Sequence, residues 1–299
     1  KKRAWTTKQA TFDLDNFTRD MLSPMVKGMA RTIDKFLIRR IVAGSSAYVS
    51  GTAGTAPDAV ADVVAARKVQ SDNLVPFTGR VGLIGTTAEA AFLQLNPFIN
   101  ADFGSDGPAA LREAAIARRY GYDWYVSPHA GAAHDFGDTA GTVSLGAAVT
   151  TGDTEVQLTG FDAATGTVRA GARFHIGSST GSVYAVTEDA EISGNAATVK
   201  IHPAAENDHA DTTSVTFKAA HTSDVLYNRN MMAGAIVAPP PMSGLPSETY
   251  STSSGLTVRL TFDGSTSGSN GAEDSVLLDV YVGAKMIRPE AGVIMQKTS

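Results

Sequence analysis

The chain contains no cysteine, which excludes disulfides, thiol nucleophiles and cysteine-ligated zinc and is compatible with a reducing compartment. Charge is scarce. Asp, Glu, Lys and Arg make up 18% of the residues, below the roughly 25% of an ordinary soluble domain, as expected where surface is hidden against neighbours. What charge there is leans acidic, 25 Lys and Arg against 30 Asp and Glu, for a net −5. Tight nucleic-acid binding draws its affinity from phosphate neutralisation, and such a balance does not favour it. Long apolar runs are missing too. No stretch approaches the roughly 18 apolar residues of a membrane-spanning helix. Lys1-Lys2-Arg3 leads into polar Trp5-Thr6-Thr7-Lys8 and not into the apolar core of a signal peptide. The first residue is not Met, so the opening reads as the interior of a processed, truncated or longer chain.

What is present is 43% hydrophobic content over 299 residues, enough for one large core or two smaller ones. Residues 4–14 alternate loosely and read as a strand entering a helix. From Asn16 to about Ala43, Phe17, Met21, Leu22, Met25, Val26, Met29, Ile33, Phe36, Leu37 and Ile41 recur at three- and four-residue steps, the period of a long amphipathic helix. Pro24 kinks it or marks its true start, and Gly44 ends it. Residues 44–57 read as a loop. Asp58–Asp72 is expected as a helix, Arg80–Gly85 as a buried strand, Thr86–Leu95 as a helix, and Tyr122–Val126 as a strand.

The texture changes near His134. From there to about Thr222 short alternating runs replace the helical period: Thr142–Leu145, Glu155–Leu158, Arg173–Ile176, Val183–Val186, Thr198–Ile201 and Ser214–Phe217. Gly, Asp, Asn and Ser punctuate them, as in a small antiparallel barrel or sandwich. The mixed pattern then resumes with strands expected at Met231–Ala238, Thr257–Phe262, Ser275–Tyr281 and Val293–Gln296. The Gly- and Ser-rich stretch Asp263–Asp274 reads as a flexible loop.

Candidate chemistry is thin. Gly177-Ser178-Ser179-Thr180-Gly181 matches the hydrolase nucleophile elbow, which must join a strand to a helix. Here strand-like residues lie on both sides, so a hairpin turn is expected. His129 and His134 with Asp135, or His202 and His209 with Asp211, lack metal-site spacing and read as scattered loop histidines, as do His175 and His221. Asp263–Asp274 lacks the alternating oxygen ligands of a calcium loop. Asn16-Phe17-Thr18 is a glycosylation sequon by chance. Arg31, Lys35, Arg39 and Arg40 give the long helix a basic stripe, ordinarily a solvated face and otherwise a contact with acidic neighbours or nucleic acid. No cofactor, metal or catalytic residue is assigned.

Several stretches, in order, resemble the major capsid (coat) proteins of tailed bacteriophages with the Hong Kong 97 fold, in the subgroup that carries an inserted β-barrel. WTTKQATFDLDNFTRDMLSPMVKGMARTIDKFLIRRI resembles the last strand of that family's extended loop and its long spine helix, including the early proline and the pair Ile33-Asp34. LREAAIARRYGYDWYVSP, with Gly121, Asp123 and Tyr125, resembles the segment leading out of the axial domain. VRAGARFHIG and VYAV resemble the insert's pattern, and DVLYNRNMMAGAIVAP the return strand after it. The C-terminal string Tyr281, Gly283, Lys285, Arg288, Pro289 and Glu290 resembles the family's closing strands. The likeness covers most of the chain. It departs at the start, where the family's N-terminal arm and first extended-loop strand have no counterpart.

The resemblance implies an α+β fold divided as follows: 1–14, end of the extended loop; 15–57, spine helix and peripheral domain; 58–133, axial domain; 134–222, inserted barrel; 223–245, axial return; 246–299, peripheral strands. It implies a structural subunit and not an enzyme, one that self-assembles into homo-hexamers and homo-pentamers of an icosahedral virion shell in the bacterial host cytoplasm. Implied partners are scaffolding and portal proteins and packaged double-stranded DNA held by weak, non-specific contact, with no membrane; a decoration protein is a further candidate. Inter-subunit contacts are expected from Lys1, Lys2, Arg3 and Trp5, reaching over a neighbour, and from Asp263, Ser265, Asn270, Glu273 and Asp274 near local three-folds. The alternative from a different class is a phage-surface or secreted binding protein that uses the β-rich segment for recognition.

Overall fold

The structure is a computed structural model and describes residues 2–6, 21–49, 56–99, 116, 118–130, 134–178, 182–218, 222–241, 244–251, 255–268 and 271–297. Its contacts divide the chain into two units: Lys1–Leu37 with Ala233–Lys285, and Ile38–Met232 with Met286–Ser299. The fold is mixed, mostly strands with few helices. No helix among the described residues is long and apolar enough to cross a membrane.

Helix α1 (Ser23–Gly44) is the expected long helix, about 33 Å at 1.5 Å per residue. Pro24 is the second residue of that span, directly after Met21 and Leu22, which are π-helical. The expected stretch before residue 21 lies outside the described residues. Its four-residue steps gather apolar side chains on one face. Met25, Met29 and Ile33 enter the core of the first unit, and Ile38, Ile41 and Val42 that of the second. Each such side chain contributes about 1.5–3 kcal/mol on full burial.

In the first unit, β1 (Lys2–Thr6), β15 (Ser247–Ser251), β16 (Thr257–Gly268) and β17 (Gly271–Asp279) form an antiparallel sheet in the order β1-β17-β16-β15. Val258, Val276 and Leu278 are fully buried against the helix residues. A separate ribbon pairs β14 (Met232–Val237) with β18 (Tyr281–Met286). The sheet corrects one expectation. Asp263–Asp274 is not a flexible loop, because β16 continues to Gly268 and β17 resumes at Gly271. Composition misled here: backbone pairing across β16 and β17, reinforced on the far side by β1, needs no apolar side chains.

In the second unit, β2 (Ala47–Tyr48), β3 (Arg80–Ile84), β4 (Asp123–Val126), β13 (Val225–Asn228) and β19 (Gly292–Ile294) form a sheet ordered β2-β19-β13-β3-β4. All residues of β3 are buried, as its position between two strands and under helices requires. Helix α2 (Val60–Asp72) begins where Asp62 accepts hydrogen bonds from the Asp58 and Ala59 N–H groups at 2.9 and 3.0 Å. Helices α3 (Thr86–Phe92) and α4 (Asn96–Ile99) bring Phe92 and Phe98 into a stack, centroids 4.9 Å apart, and Trp124 meets both edge-on. Gly82 lets this happen, since a Cβ there would lie 2.5 Å from the Trp124 ring.

The rest of this unit is a nearly closed barrel. Its strands are β5 (Gly141–Leu145), β6 (Glu155–Phe161), β7 (Thr165–Val168), β8 (Arg173–Ile176), β9 (Tyr184–Val186), β10 (Ala190–Ser193), β11 (Ala196–His202) and β12 (Val215–Phe217). The path β12-β8-β9-β11 continues through β6 to β5, and the Ser144–Ser214 bridge brings β5 beside β12. Alternation builds the core: Val156 and Leu158, like Ala197, Val199 and Ile201, face inward while Glu155, Gln157, Thr198 and Lys200 face water. The chain leaves for the barrel after β4 and returns at β13. Both of those strands pair with β3.

Candidate assembly surface

The first unit joins in one sheet the two segments expected to make contacts. Lys2, Arg3 and Trp5 stand opposite Leu277, Val276 and Asp274, Thr6 opposite Glu273, and Glu273 in turn opposite Ser265. Glu273 and Asp274 thus have strand neighbours on both sides. Asp263 is exposed and opposes Ser275. Lys1 and Asn270 lie outside the described residues. β1 and β15 are the outer strands, and an outer strand presents a row of backbone donors and acceptors to any incoming chain. Cross-strand Arg259 and Asp279 brace the sheet: Nε donates to Oδ1 at 3.0 Å, Nη2 to Oδ2, and Nη1 to the Pro240 carbonyl. Beside it an open apolar groove of about 390 Å³ is lined by Met29, Ile33, Phe36, Leu278, Val280 and Val282.

On α1, Arg31, Lys35, Arg39 and Arg40 are all exposed, as is Lys27. Lys27 was not in the expected stripe, although its spacing of four before Arg31 marks it. The family-like motifs also find places. Asp123 lies between Arg118 and Arg229, at 3.6 and 3.5 Å, while Tyr125 is exposed. Arg288 holds Glu290 at 2.9 Å, keeping that carboxyl below its usual range against the opposing effect of burial. Leu74, φ 54°, and Phe77 are exposed apolar side chains on the turn after α2, with the Arg80 guanidinium 4.5 Å over the Phe77 ring.

Sequence reasoning did not single out Arg173, the first residue of β8. It is fully buried and donates to the carbonyls of Gly171, Val42 and Ser45, so a barrel residue satisfies carbonyls at the C-terminal end of α1. Burial pushes its pKa down to about 10, still charged at neutral pH. Gly171 (φ +89°) permits the close approach, because a Cβ would lie 2.7 Å from the Ala43 Cα. His134 shares the junction, its Nε2 3.0 Å from the Ala170 carbonyl. Burial lowers its pKa from 6.5, with Arg173 and Arg39 acting the same way and the Ala170 contact and Asp135 opposing. A histidine that binds its proton less tightly when folded keeps its full contribution above the ordinary value and loses it as pH falls through that value. Between about pH 7.5 and about pH 5.5, the wild-type melting temperature should therefore drop further than that of His134→Gln. Equal drops in the two proteins would remove His134 from the account.

The catalytic candidates do not assemble. Gly177 and Ser178 follow β8, and β9 comes next, antiparallel to it; Ser179, Thr180 and Gly181 lie outside the described residues. The flanks are thus strand and strand, and the serine elbow lacks its helix. Among the described residues no group of three or more His, Cys, Asp or Glu side chains is placed to hold a metal; His221 lies outside them.

Residues 4–222 match the family model described as phage capsid protein. No curated protein sequence matches the chain. Among solved structures, one from Mycobacterium phage Che8 is 14% identical with a TM-score of 0.44, covering 98% of this chain and 68% of the other. The capsid structure of cyanophage P-SCSP1u is 14% identical with a TM-score of 0.45, covering 100% and 72%. The asymmetric unit of the bacteriophage PhiM1 mature capsid is 13% identical with a TM-score of 0.40, covering 100% and 70%. The family model spans most of the sequence, and its class is structural and not enzymatic. This chain belongs to the phage capsid protein family.

Proposed function

We propose that the chain is the major subunit of an icosahedral shell of Hong Kong 97 type, assembling as hexamers and pentamers in the host cytoplasm around double-stranded DNA. Scaffolding and portal proteins serve as partners, and a decoration protein is a further candidate. The observation that carries this reading is the interrupted sheet. A complete barrel with its own core leaves after β4 and returns at β13, two strands that flank β3. A barrel carried between two neighbours of β3 supports reading it as the insert that the resemblance implies. The remaining boundaries come from the resemblance and not from the contact division: 1–14 as extended-loop end, 15–57 as spine and peripheral domain, 58–133 and 223–245 as axial domain, 134–222 as insert, and 246–299 as peripheral strands. Symmetric, repeated contacts, each modest, then sum to a closed shell. In this arrangement Lys1, Lys2, Arg3 and Trp5 contact a neighbour, and Asp263–Asp274 lies near local three-folds.

Electron microscopy of the purified chain, with and without its scaffold, tests the proposal, and closed shells or capsomers are expected. Monomers alone under every condition would overturn it. Replacing residues 135–221 with a short linker should preserve helical circular dichroism but cut shell yield severalfold, since it removes the Arg173 anchor at the end of α1. Normal shells from the deletion would refute a need for the insert.

A further inference from the structure

We propose that the face of α1 bearing Lys27, Arg31, Lys35 and Arg39 is the surface of the subunit that meets the phosphate backbone of packaged double-stranded DNA; this rests on the shell reading above. The four cations follow one another at four-residue intervals and all are exposed. Each step rises about 6 Å and turns the row by only about 40° around the helix, so the four charges form a single inclined rail. Arg40 points away from it by the same geometry. No ion pair within the described residues holds any of the four. Asp34 is the one acidic residue in α1, against five basic ones.

Charge in this chain is segregated. Residues 134–222 contain eleven acidic and four basic residues, a formal −7 in a chain whose total is −5. The barrel therefore repels a polyanion, and the helix is where positive charge gathers. DNA fits the rail better than a neighbouring copy's barrel does. One DNA strand presents a phosphate about every 3.4 Å of axis, so each cation meets its own phosphate. The barrel's carboxylates are spread over separate strands and turns, and Glu188 and Asp135 are already held by Lys200 and Arg169. Nothing on the rail reads bases, so binding is independent of sequence.

The test is fluorescence anisotropy of a labelled duplex with the purified chain as a function of NaCl, with shell formation scored separately by electron microscopy. Four phosphate contacts predict about a hundredfold loss of affinity between 50 and 200 mM salt. Arg31→Gln should flatten the slope of log Kd against log salt by about 0.9. The fourfold Gln variant should make it nearly flat, with an unchanged melting temperature because all four side chains are exposed. Exchanging Lys for Arg and Arg for Lys at the four positions should restore the slope. An unchanged slope in the fourfold variant, with shells intact, overturns this inference and leaves the shell reading standing. Failure of the wild-type chain to form shells overturns the reading beneath it. If the variant instead loses low-salt self-association while its DNA slope is unchanged, the rail docks an acidic face of a second copy, and the DNA assignment is wrong.

Discussion

Arg173→Leu should cost about 3–5 kcal/mol of stability, the order expected when buried carbonyls lose hydrogen bonds from a charged donor, and should lower shell yield with it. Leucine fills part of the space but removes this donor from the Gly171 and Ser45 carbonyls and leaves the Val42 carbonyl only the Ser45 N–H, at 3.3 Å. Each buried carbonyl left bare costs on the order of 1–3 kcal/mol. Relief from desolvating the guanidinium returns some of this, which is why the total stays below the sum. Arg173→Lys should fall between the two, because an ammonium cannot span three acceptors as a planar fork does. Urea melts followed by circular dichroism measure the loss. A change within about 0.5 kcal/mol, the scatter of ordinary surface substitutions, would mean that the carbonyls find other donors and that the junction does not depend on this residue.

Gln70→Leu is the second substitution with a large expected effect, about 2–4 kcal/mol for three polar groups stripped of partners. The Gln70 amide is fully buried on α2. Its Nε2 donates to the Leu226 carbonyl at 3.1 Å and the Ala291 carbonyl at 2.9 Å, and its Oε1 accepts from the Tyr122 hydroxyl at 2.7 Å. One side chain thus ties α2 to β13, to the turn before β19 and to the approach to β4. Leucine keeps the volume and loses all three bonds. Adding Tyr122→Phe to Gln70→Leu should recover about 1 kcal/mol by removing a buried hydroxyl that has lost its Gln70 acceptor. If the double variant is no more stable than the single one, the Tyr122 contact is not part of the cost.

How much of this was legible depended on whether side chains or backbone did the work. The barrel strands with clear alternation were found, and Arg173–Ile176 was bounded as observed. Two were missed: Thr165–Val168, whose one buried residue is Val168, and Ala190–Ser193, whose alternation of buried Ala190 and Ile192 with Glu191 and Ser193 runs for only four residues. Periodicity passed over Val225–Asn228, which only the resemblance included in a return strand, because its neighbours on both sides supply its environment. The extension of β16 and β17 was invisible for a related reason: Gly and Ser describe a loop until a third strand is laid alongside. At the candidate surface the exposed cations could be read from spacing alone. Arg173 could not, since a polar residue opening a strand looks solvated until the end of α1 is placed over it. Gln70 did leave a trace. It falls four after Ala66 and seven after Val63, on the buried stripe of its helix, where a polar residue needs internal partners.

The insertion of the barrel between two neighbours of β3 has a kinetic meaning. Gly82 must find Leu226, a partner that only emerges after the whole barrel has been synthesised. A disordered loop of that length imposes a closure entropy that grows with the logarithm of its length, and non-local pairing of this kind slows folding. A barrel that collapses first on its own core replaces the long floppy tether with a compact body, shortening the effective loop to its two flanking segments. In a chain whose barrel folds first, the insert would serve as an internal folding aid for the docking of β13, and a barrel slow to fold would leave β3 with an open edge during the interval in which free subunits meet one another.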